Sequence, residues 1–258
     1  MIPKKIHYCW FGRNPKPKLA EKCIKSWQKF CPDFEIIEWN EDNFDVASAP
    51  DYVQQAYAHK KWAFVTDYVR LRAMTDQGGI YMDTDVELKK CLDSLLNHRA
   101  YFGFEDGILI NTGLGFGAVA GHPVLKDIMA DYEGIPFLLE DGSYDKETCP
   151  SRNTKVLLRY GLRQDDSRQT LDGDVLILPS IYLCPLSYQT GRRRFSPKTI
   201  SVHWFDASWR TEAEKAYQRE KIARERMDAV KHLPNRLLRG ALGIERYEKL
   251  KKLLKRGN

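Results

Sequence analysis

From residue 63 to about residue 76, apolar side chains recur at helical spacing. They are Phe64, Tyr68, Leu71 and Met74 or Thr75, while Asp67 and Arg70 sit three apart on a neighbouring stripe. The pattern predicts a helix with a polar face, ended by Gly78-Gly79. Beyond the glycines the period becomes two: Ile80, Met82, Thr84, Val86 and Leu88 alternate with Tyr81, Asp83, Asp85 and Glu87. Such alternation predicts one strand over 80–88 with both aspartates on the same face.

The same reading places a first strand at 5–10, a turn containing proline, a helix at 19–30 and a second strand at 34–39. This opening predicts a βαβ unit, in which a parallel sheet presents the carboxyl ends of its strands to a ligand. Short strands are expected at 100–104, 114–118, 175–178 and 200–203, and helices at 123–132 and 153–160. Residues 133–150, with Gly, Pro, Asp and Ser spread through them, predict an irregular loop or lid. From Thr211 the chain becomes highly charged and helical, with one break at Pro234. We therefore expect an α/β domain over 1–210 and a charged helical extension over 211–258.

At 258 residues with 43% hydrophobic content, the chain can fill one sizeable core. No run approaches the length needed to cross a bilayer, and Lys4, Lys5 and His7 interrupt any apolar leader, so a cytoplasmic protein is expected. The six cysteines show neither paired zinc spacing nor the density of a disulfide scaffold, which predicts reduced core residues. The formal charge of +6 is unevenly placed: residues 210–258 hold 15 Lys and Arg against 7 Asp and Glu, and residues 1–209 hold 26 against 28. Positive charge confined to a tail argues against a nucleic-acid enzyme, which needs it around the site. Residues 235–255 place Leu237, Leu238, Ala241, Leu242, Tyr247, Leu250, Leu253 and Leu254 near one side among basic residues. Such a helix suits peripheral contact with an anionic membrane, or packs its apolar side on the domain.

Neither a Gly-x-Gly-x-x-Gly turn nor a Walker loop is present, so phosphates need another partner. Asp83 and Asp85 offer one, because Mg²⁺ or Mn²⁺ takes carboxylate and phosphate oxygens together. About one Asp-x-Asp per chain of this size arises by chance. A second one here, Asp172-Gly173-Asp174, reads as a turn before a strand.

The order Asp67-x-x-Arg70, Gly78-Gly79, Tyr81-x-Asp83-x-Asp85 resembles the sugar-nucleotide signature of family 32 glycosyltransferases, and more distantly that of the glucosylating clostridial toxins. The opening IPKKIHYCWFG, with His7, Trp10 and Gly12, and the closing HWFDASW at 203–209 resemble the same family, as do NTGLGFGAVAGHP at 111–123 and TCPSRNT at 148–154. The resemblance implies a GT-A-like (Rossmann-like) α/β fold and a metal-dependent hexosyltransferase. It implies retention of configuration and a donor that is a nucleoside diphosphate sugar, UDP-linked, with Mn²⁺ or Mg²⁺ as cofactor. The acceptor would be a saccharide, free or lipid-linked, in capsule, lipopolysaccharide or other surface-polysaccharide synthesis. By resemblance Asp83, Asp85 and Arg70 are catalytic, and Trp10, Asp67, Tyr81, Asn111 and Trp209 join Arg70 and Asp83 in binding the nucleotide sugar. Asp85, His203 and Ser208 are the implied metal ligands, with Asp206 as substitute for His203. Two alternatives share these residues: a metal-dependent nucleotide-sugar phosphohydrolase, and a non-catalytic nucleotide-sugar or polysaccharide-binding protein.

Overall fold

The computed structural model describes residues 1–206, 212–231, 240 and 242–255. The chain divides into two compact units, Met1–Trp209 and Arg210–Asn258.

The first unit opens with β1 (Lys5–Cys9), α1 (Lys18–Phe30) and β2 (Glu35–Trp39), and β1 and β2 pair in parallel, as the opening pattern predicts. Next come α2 (Asp51–Ala58), α3 (Trp62–Gln77), β3 (Gly79–Tyr81), β4 (Val86–Leu88) and β5 (Ala100–Glu105). They are followed by β6 (Leu109–Ile110), β7 (Phe116–Ala118), α4 (Pro123–Ala130) and α5 (Cys149–Arg159). The unit finishes with β8 (Gln169–Leu171), β9 (Val175–Leu178), α6 (Ser180–Leu183) and β10 (Ser201–His203). The main sheet runs β2-β1-β3-β7-β5-β9-β8, and β6 adds to β5. Pairings β1–β3 and β5–β9 are parallel, whereas β7 is antiparallel to both its neighbours. This is the expected α/β class, with a mixed sheet. A separate two-stranded sheet joins β4 to β10.

Helices cover both faces of the sheet because successive strand residues point to opposite sides. Along β5, Phe102 and Phe104 enter one buried cluster with Val69 and Phe116, and Tyr101 enters the other with Trp27 and Ile80. The double glycine turns α3 into β3: Gly78 and Gly79 have φ of +63° and +119°. A side chain on Gly79 would meet His7 Nε2 and the Lys5 carbonyl, both at 2.9 Å. His7 is wholly buried there, and its Nε2 donates to the Gly78 carbonyl at 2.9 Å while Nδ1 accepts from Trp39 at 3.0 Å. Burial lowers its pKa to about 4, so the ring is neutral and structural.

Asp172-Gly173-Asp174 is indeed a turn, and it links β8 to β9 as a hairpin whose first strand the pattern did not indicate. Residues 133–148 are irregular apart from a bridge between Leu138 and Tyr144. They are fastened down, since Phe137 is buried and Gln55 Oε1 accepts from the Phe137 and Leu138 amides at 2.9 Å. All six cysteines are free, and all but Cys91 are buried.

In the second unit, α7 (Glu212–Lys231) and α8 (Ile244–Lys255) carry the charged helical pattern. Along α8 Tyr247 is buried, whereas Ile244 and Leu253 are exposed. Pro234, Leu237, Leu238 and Ala241 lie outside the described residues. Among those described, no helix is long and apolar enough to cross a membrane.

Candidate functional site

The strand order β2-β1-β3 makes β1 a switch point, since the chain leaves it for β2 on one side and returns to β3 on the other. Switch points in α/β sheets open a crevice beyond the carboxyl ends of the strands. Trp10 follows β1 there, and Asp83 follows β3.

The single strand expected over 80–88 is two strands, and this corrects the reading of both aspartates. Asp83, Thr84 and Asp85 form a turn closed by the Val86 amide donating to the Asp83 carbonyl at 3.0 Å. The Asp83 amide donates to the Gly113 carbonyl at 3.0 Å, and β4 leaves for the second sheet. A turn, not alternation, gathers the carboxylates.

Asp83 is built into a buried network centred on Arg70. Arg70 Nη2 lies 3.1 Å from Asp67 Oδ1 and 3.1 Å from Asp83 Oδ1, and the Tyr81 hydroxyl donates to the same Asp83 oxygen at 3.0 Å. Arg70 Nε donates to the Thr66 carbonyl at 3.1 Å, and its Nη1 faces Thr112 Oγ1 at 3.5 Å and Cys149 Sγ at 3.6 Å. Cys149 Sγ also accepts from Asn153 Nδ2 at 3.1 Å and lies 3.0 Å from Thr112 Oγ1. The guanidinium is thereby fixed in position with its carbon 4.9 Å from the Tyr81 ring centre. Tyr81, at 1% exposure, reaches the crevice only through Asp83. On the polar face of α3, Arg70 is therefore buried while Thr66 and Asp67 stay half-buried. Thr66, Thr112 and Asn153 were not singled out from sequence, and Cys149 only as a thiol inside a family-like segment.

One guanidinium serves two carboxylates, so burial weighs unequally on them. Arg70 stays firmly charged; burial leads the causes that raise the Asp67 pKa to about 6, with Asp83 adding to it and Arg70 opposing it. Below the ordinary value of 3.8 Asp67 is neutral in both states and costs nothing. As pH rises from there through about 6, the unfolded chain ionises more readily than the native one, and native stability falls. Asp67→Asn should remove that slope. In urea unfolding of the ligand-free protein, the variant should gain about 2 kcal/mol on wild type between about pH 4.5 and 7.5. Parallel stability profiles would refute an unrepaid carboxylate at 67.

Asp85 faces the other way, toward β10. His203 Nε2 lies 3.0 Å from Asp85 Oδ1, and the Asp206 amide donates to Asp85 Oδ2 at 2.8 Å. Trp204 Nε1 donates to Glu87 Oε2 at 2.9 Å, tying this segment to β4. Burial opposes charge on His203, but Asp85, then Asp83 and Glu105, outweigh it and raise its pKa to about 9; the same pairing holds Asp85 below its ordinary range.

Asp83, Asp85 and His203 bring one ligand atom each within 4.8 Å of one another. His203 Nδ1 is buried without a hydrogen-bond partner. Two carboxylates and an imidazole with an orphaned nitrogen form a donor set that fits a divalent cation. Asp206 meets Asp85 through its backbone. Ser208 and Trp209 lie outside the described residues.

Asn111 is 8% exposed; its Oδ1 accepts from the Gly113 amide at 2.6 Å and its Nδ2 donates to Glu105 Oε2 at 2.6 Å. It closes a turn and also positions Glu105, whose pKa burial raises. Sequence reasoning missed Glu105, although a carboxylate ending the otherwise apolar β5 was a signal. Trp10 is half-buried and its Nε1 donates to the Asn14 carbonyl at 2.6 Å.

Comparison with known proteins finds the following similarities. Residues 17–102 match the family described as glycosyltransferase sugar-binding region containing DXD motif. Inositol phosphoceramide mannosyltransferase 3 of Schizosaccharomyces pombe is 29% identical over 140 residues, 53% of this chain and 38% of that protein. An uncharacterized glycosyltransferase of Acanthamoeba polyphaga mimivirus is 30% identical over 111 residues, 40% of this chain and 43% of that one. The chain thus spans about two fifths of the length of these curated relatives. Among solved structures, the PaToxG glycosyltransferase matches with a TM-score of 0.46 and 17% identity, over 61% of this chain and 68% of that one. The stretch carrying Asp67, Arg70, Asp83 and Asp85 is thus similar to glycosyltransferase sugar-binding regions containing a DXD motif.

Proposed function

We propose that the protein is a retaining glycosyltransferase that moves a hexose from a nucleoside diphosphate donor, UDP-linked, to a saccharide hydroxyl in surface-polysaccharide or lipopolysaccharide synthesis. The observation that carries this reading is Asp83 itself, which joins the Arg70–Asp67 pair to the Asp85–His203 pair within one crevice. The relatives' names include mannosyl transfer, and we keep the donor sugar at a hexose of the galactose or glucose type, with mannose as the epimer to test beside it.

Each side chain has a task in this reaction. Asp67 accepts hydrogen bonds from sugar hydroxyls, and the fork of Arg70 spans hydroxyl and phosphate oxygens. Tyr81 and the group around Cys149 hold Asp83 and Arg70 in register before substrate arrives, so little reorganisation remains at the moment of reaction. Asn111 and Glu105 border the sugar, and Trp10 offers a flat face to the base. As the bond from C1 to the diphosphate breaks, Arg70 stabilises negative charge on the leaving oxygen. The acceptor oxygen bonds to C1 from the same side, and its proton passes to the departing phosphate oxygen. Asp83, Asp85 and His203 would hold Mn²⁺ or Mg²⁺, which when bound supplies positive charge to the diphosphate.

The test is calorimetric titration of UDP, GDP, CMP and ADP with Mn²⁺ and with EDTA, at about pH 6.5 and about pH 8.5. One nucleoside diphosphate should bind only with metal. Because His203 keeps its proton up to about pH 9, the metal must displace that proton, and Mn²⁺ affinity should rise by roughly tenfold per pH unit across this interval. Absence of nucleotide binding with either addition would remove the transferase reading. A pH-independent Mn²⁺ affinity would remove His203 from the ligand set. Donor consumption that does not rise with added acceptor would favour the phosphohydrolase.

A further inference from the structure

Residues 185–194 fold back on themselves beside His203. Leu186 bridges to Arg193, the Ser187 amide donates to the Arg192 carbonyl at 2.9 Å, and the Arg194 amide donates to the Pro185 carbonyl at 2.7 Å. Gly191 makes the bend with φ of +62°. This hairpin is joined to the cation cluster through two aromatic rings. Tyr188 lies 5.1 Å from Phe205, and Phe205 lies 4.1 Å from His203, centre to centre. Phe205 has φ of +54°, a left-handed backbone that a bulky residue holds only where its surroundings impose it.

Three successive arginines lie on the return strand, and the fold accounts for one. Arg194 reaches Asp166 Oδ2 at 3.3 Å and Ser180 Oγ at 2.6 Å, which fastens the hairpin to α6. Arg192 and Arg193 are exposed, and neither guanidinium pairs with a carboxylate among the described residues. Phe195 follows at 49% exposure. Arginines on a surface are ordinarily just solvated. Here two adjacent ones, without a carboxylate partner among the described residues, precede an exposed aromatic residue in sequence, on a loop closed by its own hydrogen bonds and joined to His203 through Tyr188 and Phe205.

We propose that this hairpin recognises the acceptor and that Arg192 and Arg193 bind a phosphate group carried by it. A guanidinium fork matches phosphate oxygens in pairs, and Phe195 offers apolar contact next to that charge. An anionic acceptor would thereby be presented on the His203 side of the crevice, away from the Arg70–Asp67 side assigned to the donor sugar. The identity of that phosphate as part of an acceptor rests on the transferase reading, but phosphate binding is measured without donor.

Full-length wild type, Arg192→Ala/Arg193→Ala and, as a control in α8, Lys251→Ala/Lys252→Ala should be titrated with two probes. The first is phosphatidylcholine vesicles containing phosphatidylglycerol, against pure phosphatidylcholine; the second is soluble glycerol 3-phosphate. The hairpin variant should lose roughly 30-fold in affinity for the anionic vesicles, on the usual contribution of two cations near such a surface. The control should keep more than the hairpin variant does. Loss confined to glycerol 3-phosphate would also support the proposal and identify a soluble source of the phosphate. Wild-type affinity of the hairpin variant for both probes, loss only in the α8 control, or no binding of wild type to either probe would overturn it. Neither guanidinium makes a hydrogen bond or ion pair among the described residues, so the unfolding midpoint of the hairpin variant should match wild type. Metal-dependent nucleotide binding, measured on the same samples, separates failure of this proposal from failure of the transferase reading.

Discussion

Asp85→Asn should abolish metal-dependent nucleotide binding and lower sugar transfer by about a thousandfold or more, the scale expected when several kcal/mol of charge stabilisation on a leaving diphosphate are lost. The fold should survive. An asparagine Oδ1 can still accept from the Asp206 amide, and the pairing of β4 with β10 uses backbone groups alone. A second readout isolates the electrostatics from the chemistry. His203 is held protonated to about pH 9 chiefly by Asp85, against the pull of burial. Removing that carboxylate should bring its titration down through neutral pH, visible in the imidazole proton resonances. Full transfer activity in Asp85→Asn would remove the metal assignment. An unchanged His203 titration would show that the imidazole answers to other groups.

Gly113→Ala tests the same site through packing. The backbone of Gly113 lies outside the left-handed region, so alanine meets no conformational strain there. Its Cβ, however, would overlap Asp83 Oδ2 and stand 3.0 Å from Asn111 Oδ1. The Asp83 carboxylate must then leave Arg70 and Tyr81, and we expect donor binding or turnover to fall about a hundredfold, as misplacements of about 1 Å do elsewhere. A double-mutant cycle identifies the cause. Gly113→Ala should destabilise wild type yet cost almost nothing in an Asp83→Ala background, giving a coupling of about 1 to 3 kcal/mol. Equal cost in both backgrounds would place the clash elsewhere and free Asp83 from this constraint.

These two substitutions differ in how far the sequence announces them. Asp85 belongs to a motif that is readable in the chain and becomes specific only with the helix and double glycine before it. Gly113 lies 30 positions beyond Asp83 in the numbering, and nothing local says that its missing side chain leaves room for a carboxylate. The same contrast runs through the network around Arg70. Its pairing with Asp67 follows from helical spacing, whereas its contact with Cys149 joins residues 79 positions apart.

What the sequence by itself determined is whatever depends on neighbours a few residues away. Helix α3, its glycine stop, the parallel β1-α1-β2 opening and the turn at 172–174 all follow from period and turn residues. Alternation over 80–88 predicts one two-faced strand, whereas the structure has two short strands buried on both faces, because a period of two does not reveal a hydrogen bond that closes a turn inside it. The resemblance implies that Asp85 and His203 share a metal, and only the tertiary structure decided that they pair directly and that the Asp206 amide, 121 positions from Asp85, joins them. It also decided that the Tyr81 hydroxyl meets Asp83, that Asn111 meets Glu105 and Thr112 faces Arg70, and that Tyr188 reaches His203 through Phe205. The physical reason is common to all of these. Periodicity is set by backbone geometry along the chain, whereas a site is set by which strand ends and loops the packed sheet brings together.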